Sequence, residues 1–201
     1  MDAYELLASS SLVLASASPR RRDLLAAARI PCQVRPANVP EVRQQGEMPG
    51  AYVRRLAHDK AHAVEAAPGE IILAADTTVV VDDHVLEKPA DAADAARMLA
   101  LLSGRRHEVL TAICLRAVGD KRTGARTRTA VETTGVFVAA LSADDIAHYV
   151  QSGEPMDKAG AYGIQGMFSR WVERIEGCYF NVVGLPVSLL WRELNALGRT
   201  R

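Results

Sequence analysis

Short runs of apolar, β-branched residues alternate along this chain with amphipathic helical patterns, and this alternation limits the fold more than any other feature. Ser11–Ala15 predicts a buried strand, and Pro19 begins a helix soon after it. Pro49–Ala66 predicts a long amphipathic helix, and Glu70–Ala75 and Thr77–Val81 predict strands. Strands that alternate with helices are typical of α/β proteins, in which helices cover a sheet. We therefore expect the α/β class.

The rest of the chain continues this alternation. It predicts a hairpin turning at Asp82-Asp83, a helix over Asp91–Leu102, two strands over His107–Val118 and Thr127–Ala139 joined by a turn from Gly119 to Gly124, a helix from Ser142 to Gln151, a strand over Trp171–Ile175 and a closing helix over Pro186–Leu197. No stretch has the composition of a linker. We expect an N-terminal extension over residues 1–10 and a single domain with a cleft over residues 11–201.

Composition excludes several classes of partner. Among the 201 residues, 24 Lys and Arg balance 24 Asp and Glu, so no global field attracts a nucleic acid or an anionic membrane. The three cysteines lie far apart and form no C-x-x-C, which argues against a disulfide framework or a zinc site. The N-terminus is acidic where a signal peptide would be basic, and no apolar run reaches membrane-spanning length. We expect a cytoplasmic protein.

Three arginines at the start of the first helix predict an anion site. Ser18 suits the N-cap and Pro19 the first helical position, which places Arg20, Arg21 and Arg22 in the first turn. Each cation there costs about 0.3–1 kcal/mol against the helix dipole. A bound anion, held by free backbone N–H groups and guanidinium groups, would offset that cost. The alternative is a solvated basic turn.

The helix over Pro49–Ala66 places a lysine on its apolar side. At about 100° per residue, Lys60 falls near the middle of the stripe that begins at Val53. Such a lysine either extends its ammonium group to the surface or points it into a cleft. His58 and His62 resemble a two-histidine zinc helix, but they face away from the stripe, and we reject that interpretation.

A carboxylate and a glycine-rich segment add further candidates. Asp76 follows the apolar run Ile71–Ala75, where burial without a partner would be costly, and ligand sites collect at strand ends in α/β sheets. A capping aspartate is the alternative. The three glycines of Asp157–Gly166 predict a backbone that approaches a ligand closely, and the amide of Gln165 can donate and accept hydrogen bonds as base recognition requires. Lys88 adds a cation after the hairpin.

Together these segments resemble the Maf family of nucleoside triphosphate pyrophosphatases from about Leu12 to Leu190. The resemblance is carried by LASASPRRRDLL (14–25), RLAHDKA (55–61), AADTTVV (74–80), LEKP (86–89), LSGRRHEVLTAICL (102–115), GEPMDKAGAYGIQG (153–166) and NVVGLP (181–186). Within the family, DKAGAYGIQG together with ADT is similar to the branch that acts on dTTP and UTP. The sister branch, which acts on 7-methyl-GTP, typically carries Trp, Gln and Glu at positions 20, 77 and 165.

The resemblance implies a fold and a reaction. The fold is an elongated mixed β-sheet flanked by helices with a central cleft, as in inosine triphosphatases, often in a homodimer. The reaction hydrolyses a nucleoside triphosphate between the α- and β-phosphates, with Mg²⁺ or Mn²⁺ as the cofactor. The implied roles are Asp76 as general base, Ser16, Arg21, Lys60 and Lys88 as phosphate ligands, Glu41 and Asp76 as metal ligands, and Arg20, Thr77 and Gln165 as base-selecting residues. One departure is Asn38-Val39-Pro40, where the family often has a further acidic residue near Glu41.

Two other functions remain open at this point. The family is also associated with septum formation and cell division arrest, so the chain could be a nucleotide-sensing regulator with little turnover. A purine pyrophosphatase acting on inosine or xanthosine triphosphate is the other alternative. Within the expected activity, the physiological substrate could be a normal or a modified pyrimidine triphosphate.

Overall fold

The computed structural model describes residues 1–119 and 124–199. Its helices are α1 (Ala3–Ser9), α2 (Pro19–Ala27), α3 (Pro49–Ala63), α4 (Ala92–Leu102), α5 (Ala143–Gln151), α6 (Tyr179–Val183) and α7 (Val187–Arg199). Its strands are β1 (Ser11–Leu14), β2 (Gln33–Val34), β3 (Glu70–Val81), β4 (His84–Leu86), β5 (Arg106–Val118), β6 (Ala125–Val138) and β7 (Val172–Glu176). Three short 3-10 turns lie at Glu154–Asp157, Ala159–Ala161 and Met167–Trp171. No helix in the described residues could span a membrane.

The strands form a mixed sheet, which confirms the predicted class. Their order is β2-β1-β3-β5-β6-β7, and β4 pairs with β3 off this path. β1 runs parallel to both β2 and β3, with Ser11 opposite Glu70 and Leu14 opposite Leu73. β4 is antiparallel to β3 and β7 is antiparallel to β6. The near-continuous apolar runs of β1 and of the first half of β3 are typical of parallel strands buried on both faces.

The prediction that a strand ends at Asp76 is wrong. β3 continues without interruption from Glu70 to Val81, because the threonines and valines after Asp76 favour extended backbone. β1 pairs with β3 only as far as Leu73, and β4 pairs with β3 only from Val79 onward. Asp76 therefore lies in a stretch of β3 that pairs with neither of these two strands.

Local sequence signals placed several element boundaries correctly. Asp82 and Asp83 turn the β3–β4 hairpin with φ angles of 46° and 64°, a conformation that aspartate tolerates better than most residues. The side chain of Asp91 caps α4, and that of Ser142 caps α5. The predicted turn between β5 and β6 lies largely outside the described residues.

The described chain divides into two compact units. The first comprises Met1–Asp76, Thr111–Glu132 and Gly184–Arg201, and the second comprises Thr77–Leu110 and Thr133–Val183. The core of the first unit includes the fully buried side chains of Leu14, Leu25, Leu56 and Ile72. The core of the second includes Leu99, Leu102, Tyr149 and Phe168. The domain boundaries expected from the sequence stay a prediction.

Three short elements were not predicted: α1, β2 and α6. α1 lies in the N-terminal extension and packs on α7, where Ala3 N donates to Asn195 Oδ1 at 2.9 Å. The ring of Tyr4 meets the indole of Trp191 edge-on, with the centroids 4.8 Å apart. The local signal was present but was not recognised, because Asp2 and Glu5 form a capping box at the start of α1. Tertiary contacts then stabilise a helix this short.

Candidate active site

The first compact unit contains a buried lysine that bridges two carboxylates. Lys60 and Asp76 are only 8% and 6% exposed, and Lys60 Nζ lies 2.6 Å from Asp76 Oδ1. The same ammonium group lies 2.5 Å from Glu41 Oε1. α3 buries its apolar stripe as predicted and presents Lys60 from that stripe, whereas His58 and His62 on the opposite side are exposed. Lys60 therefore does not extend its ammonium group to the surface but pairs it with the two carboxylates.

The environment of Asp76 suits proton transfer. Burial raises the pKa of Asp76 above its ordinary value, although the nearby cations of Lys60 and Arg21 oppose this shift. A carboxylate with a raised pKa accepts a proton more effectively near neutral pH than one with the ordinary value. A buried carboxylate with a raised pKa is compatible with the role of general base.

Arg21 is held in place by two anchors. Its Nε donates to the backbone oxygen of Gly184 at 2.9 Å, and its Nη1 donates to Ser16 Oγ at 3.0 Å. The Ser16 hydroxyl also accepts from the backbone N–H of Ser18 at 3.2 Å. Burial lowers the pKa of Arg21, and the charge of Asp76 opposes that shift. The guanidinium group is thereby fixed next to the carboxylates.

The predicted helix start is confirmed with one difference. α2 begins at Pro19 and Ser18 occupies its N-cap position, but the Ser18 side chain makes no capping hydrogen bond. Arg22 points toward solvent, with its side chain 60% exposed, and lies 3.6 Å from Asp23. Arg20 is half-buried. The arginines of this turn thus occupy different environments, and the structure anchors Arg21 at the carboxylates.

The other expected site residues lie in the second compact unit. Thr77 follows Asp76 in β3 and is half-buried, and Lys88 is exposed just after β4. Gln165 is exposed in a turn between two of the 3-10 segments. Of the nine expected site residues, the structure brings Ser16, Arg21, Glu41, Lys60 and Asp76 together in the first unit. The convergence of Arg20, Thr77 and Gln165 on a base stays a prediction.

Comparison with known proteins shows the family of this chain. The sequence profile described as Maf-like protein matches residues 11–197, nearly the whole chain. The chain belongs to the Maf family. This Maf protein is 57% identical over 188 residues to the dTTP/UTP pyrophosphatase of Koribacter versatilis, covering 93% of this chain and 94% of the relative. It is 49% identical to that of Syntrophomonas wolfei, covering 92% and 96%. It is 50% identical to that of Vibrio cholerae, covering 89% and 93%.

The carboxylates of this Maf protein fit a divalent cation. Because Glu41 and Asp76 both contact Lys60 Nζ, their oxygens lie within reach of one position. Mg²⁺ prefers such hard oxygen ligands and is usually bound by one or two carboxylates together with water and substrate phosphates. Within residues 1–119 and 124–199 there is no cluster of three or more side chains that could ligate a metal. The donor set therefore suits a cation that takes its remaining ligands from phosphate and water.

The glycines of the Asp157–Gly166 segment lie against the protein's own side chains. A Cβ added to Gly160 would lie 2.8 Å from Val79, and one added to Gly163 would lie 2.7 Å from Lys158. A Cβ at Gly166 would lie 2.1 Å from Glu154 Oε1. The space before each glycine is filled by the protein itself, and the close approach of a ligand to this backbone stays a prediction. They allow the segment to fold closely on its own unit.

Sequence reasoning missed the groups that hold the site residues in place. The carbonyl of Gly184, which orients Arg21, lies 163 positions away in sequence. Its segment NVVGLP supported the family resemblance, but no residue type in it indicates a carbonyl acceptor. Tyr149 and Glu154, whose side chains contact the backbone around Gln165, were also missed. A tyrosine on a helix gives no local signal of such a contact.

Proposed function

We propose that this Maf protein hydrolyses dTTP and UTP to the nucleoside monophosphate and pyrophosphate. The observation that carries this proposal is the buried Asp76 carboxylate, bound to Lys60 and next to the anchored Arg21. The names of relatives that share about half of their residues with it over most of both chains support the substrate class. Modified pyrimidine triphosphates belong to the same proposed class, and the proposed role is to remove nucleotides from the cellular pool.

Positioning and charge neutralisation account for most of the catalysis in phosphoryl-transfer reactions. A nucleoside triphosphate carries about four negative charges, and Arg21, Lys60 and Lys88 are the side chains proposed to hold it, with Ser16 beside Arg21. Because Arg21 is fixed by two hydrogen bonds, it needs little reorganisation when the substrate binds.

Asp76 is the proposed base in the hydrolytic step. A water molecule loses a proton to the Asp76 carboxylate while its oxygen forms a bond to the α-phosphorus. The bond from the α-phosphorus to the bridging oxygen breaks, and pyrophosphate leaves with that electron pair. The neighbouring Lys60 ammonium group keeps the carboxylate oriented by its 2.6 Å contact with Oδ1.

Glu41 and Asp76 would hold the proposed Mg²⁺ or Mn²⁺. When bound, the cation supplies positive charge that neutralises phosphate oxygens. Glu41 suits this role because its side chain is 47% exposed and can reorient from Lys60 toward a cation that arrives with the substrate. Tyr52 Oη donates to the backbone oxygen of Glu41 at 3.2 Å, which ties the otherwise irregular segment to α3.

Base selection is proposed for Arg20, Thr77 and Gln165. The exposed amide of Gln165 can present both a donor and an acceptor to a pyrimidine edge. A site that hydrogen-bonds one base edge rejects bases that leave its polar groups unpaired, and this discrimination can be large. We expect dTTP and UTP to be preferred over ATP and GTP for this reason. We also propose that the enzyme is a cytoplasmic homodimer, as the family resemblance implies.

A screen of nucleoside triphosphates for pyrophosphate release tests the proposed function. dTTP, UTP, 5-methyl-UTP, ATP, GTP, ITP and 7-methyl-GTP are compared with Mg²⁺ and with Mn²⁺, and the product is assayed as pyrophosphate rather than phosphate. The proposal predicts the highest kcat/KM for the pyrimidine substrates. Preference for ITP would indicate a purine pyrophosphatase, and tight binding without turnover would indicate a nucleotide sensor.

A further inference from the structure

The turn that carries Gln165 is held by a tyrosine hydroxyl on its N-terminal side. Tyr149 lies on α5 and is almost fully buried, with its ring centroid 5.3 Å from that of Phe168 and 6.0 Å from that of Trp171. Its hydroxyl accepts a hydrogen bond from the backbone N–H of Gly163 at 3.2 Å. Gly163 lies two residues before Gln165.

A carboxylate holds the same turn on its C-terminal side. Glu154 Oε2 accepts from the backbone N–H of Met167 at 3.0 Å, two residues after Gln165. Glu154 Oε1 accepts from the Tyr149 hydroxyl at 2.9 Å. The turn is closed internally by Gly166 N–H, which donates to the oxygen of Gly163 at 3.2 Å. One connected hydrogen-bond chain thus holds the backbone on both sides of Gln165.

The protonation of Tyr149 keeps this chain intact. Burial and the neighbouring Glu154 raise the pKa of the Tyr149 hydroxyl, so it stays protonated at physiological pH. The hydroxyl can then donate to Glu154 and accept from Gly163 at the same time. Each side chain of the pair satisfies a backbone N–H, Tyr149 that of Gly163 before the turn and Glu154 that of Met167 at the start of the following 3-10 segment.

Gly166 is required by the same arrangement. A Cβ there would lie 2.1 Å from Glu154 Oε1 and 2.4 Å from Glu154 Cδ, so only glycine leaves room for the carboxylate. Gly166 has a φ of −98°, outside the left-handed region that favours glycine. A substitution to alanine would therefore act by displacing the Glu154 carboxylate rather than by straining the backbone.

We propose that Tyr149 and Glu154 are positioning residues that determine pyrimidine selectivity by fixing the turn that presents Gln165. This inference rests on the proposed function, in which Gln165 contacts the base. An exposed amide on an unrestrained turn would sample many orientations and could pair with several base edges. Small misplacements of a positioned group change rates by as much as about 10²-fold, so loss of the pair reduces discrimination strongly.

Conservative variants test this inference. Tyr149→Phe keeps the buried ring and removes the hydroxyl, and Gly166→Ala displaces the carboxylate without altering either partner. We expect each to lower the ratio of kcat/KM for dTTP to that for ATP by about tenfold or more, with a smaller change in kcat for dTTP. Glu154→Ala should have the same effect. Glu154→Gln keeps one carbonyl acceptor and should retain part of the selectivity.

Matched controls separate positioning from general destabilisation. Tyr4→Phe changes an exposed tyrosine of α1, and Glu173→Ala changes an exposed carboxylate of β7. Neither should alter the selectivity ratio. Thermal unfolding of every variant shows which ones remain folded at the assay temperature. If Glu154→Ala does not fold, the selectivity ratios of Tyr149→Phe and Gly166→Ala test the role of the pair.

A double-mutant cycle with Gln165→Ala distinguishes failure of this inference from failure of the proposed function. If Gln165→Ala leaves selectivity unchanged, the proposed role of Gln165 is wrong and the role of the pair is overturned with it. If Gln165→Ala lowers selectivity, Glu154→Ala should add little in the double variant, because the pair acts through Gln165. Fully additive losses, or unchanged selectivity in Tyr149→Phe and Gly166→Ala, would overturn the role of the pair alone.

Discussion

Replacement of Lys60 by methionine tests the buried ion pair at the centre of the site. Methionine keeps the length and apolar stem of the side chain but removes the ammonium group 2.6 Å from Asp76 Oδ1. At an effective dielectric constant of about 20, the attraction across that distance is about 6 kcal/mol. When Lys60 is replaced, water entry and protonation of Asp76 offset part of the lost attraction. Removal of one partner of a buried pair usually costs about 3–5 kcal/mol. We expect Lys60→Met to lower the free energy of unfolding by that amount.

The loss of stability in Lys60→Met should depend on pH in a defined direction. The pKa of Asp76 is already raised by burial, and removal of Lys60 takes away a charge that opposes the rise. Above pH 4, Asp76 of the unfolded chain has lost its proton, because its ordinary pKa is about 4. Asp76 of the folded variant keeps its proton to a higher pH. The stability of the variant relative to wild type should therefore fall as pH rises from about 4 to 8.

Urea unfolding measured at pH 5 and pH 8 by tryptophan fluorescence and circular dichroism provides the assay. The double variant Lys60→Met/Asp76→Asn removes both charges and should recover most of the loss. Lys88→Met, at an exposed lysine, should change stability by less than about 0.5 kcal/mol. A loss below about 1 kcal/mol that is the same at both pH values would refute the reasoning.

Three further predictions address charge, binding and specificity. Burial lowers the pKa of His107 to about 4, so between pH 6.5 and 4 the unfolded chain binds a proton that the folded chain does not. The free energy of unfolding should fall by about 3 kcal/mol across that range, and His107→Gln should reduce the fall. Arg21→Ala should weaken binding of triphosphate more than of monophosphate in calorimetry, and equal losses would mean that Arg21 does not meet the β- and γ-phosphates. Combined replacement of Arg20 by Trp, Thr77 by Gln and Gln165 by Glu should shift preference toward 7-methyl-GTP, because an indole stacks on a cationic purine. A folded, active triple variant with the wild-type substrate order would show that these residues do not select the base.

Local sequence signals were sufficient where structure is decided within a few residues. The start of α2 at Pro19 follows from the preference of proline for the first helical position, and the turn at Asp82-Asp83 follows from backbone preference. The position of Lys60 on the apolar stripe of α3 follows from helical periodicity, which left open whether its ammonium group reaches the surface. In each of these cases the deciding interactions lie within one or two helical turns or within a single hairpin.

Local sequence signals did not predict the structure where contacts between distant parts of the chain determine it. The pairing of β3 with β1 up to Leu73 and with β4 from Val79 depends on distant parts of the chain, which no local pattern records. Gly184 is brought to Arg21 by folding alone, and so are the two backbone groups bound by the Tyr149–Glu154 pair. The glycines of the loop were recognised, but the side chains that pack against them were not, because glycine provides space equally for a ligand and for a neighbouring side chain.

The most direct test of the proposed catalysis is the turnover of Asp76→Asn with dTTP. Asparagine keeps the shape of the side chain but cannot take the proton of the attacking water, and loss of a general base lowers rates by about 10²–10⁴-fold. Pyrophosphate release under saturating dTTP and Mg²⁺ gives kcat, and calorimetry with dTTP gives binding to the same preparation. We predict that kcat falls at least about 10²-fold while the folded variant still binds dTTP. A variant that retains more than about a tenth of the wild-type kcat would contradict the assignment of Asp76 as the base.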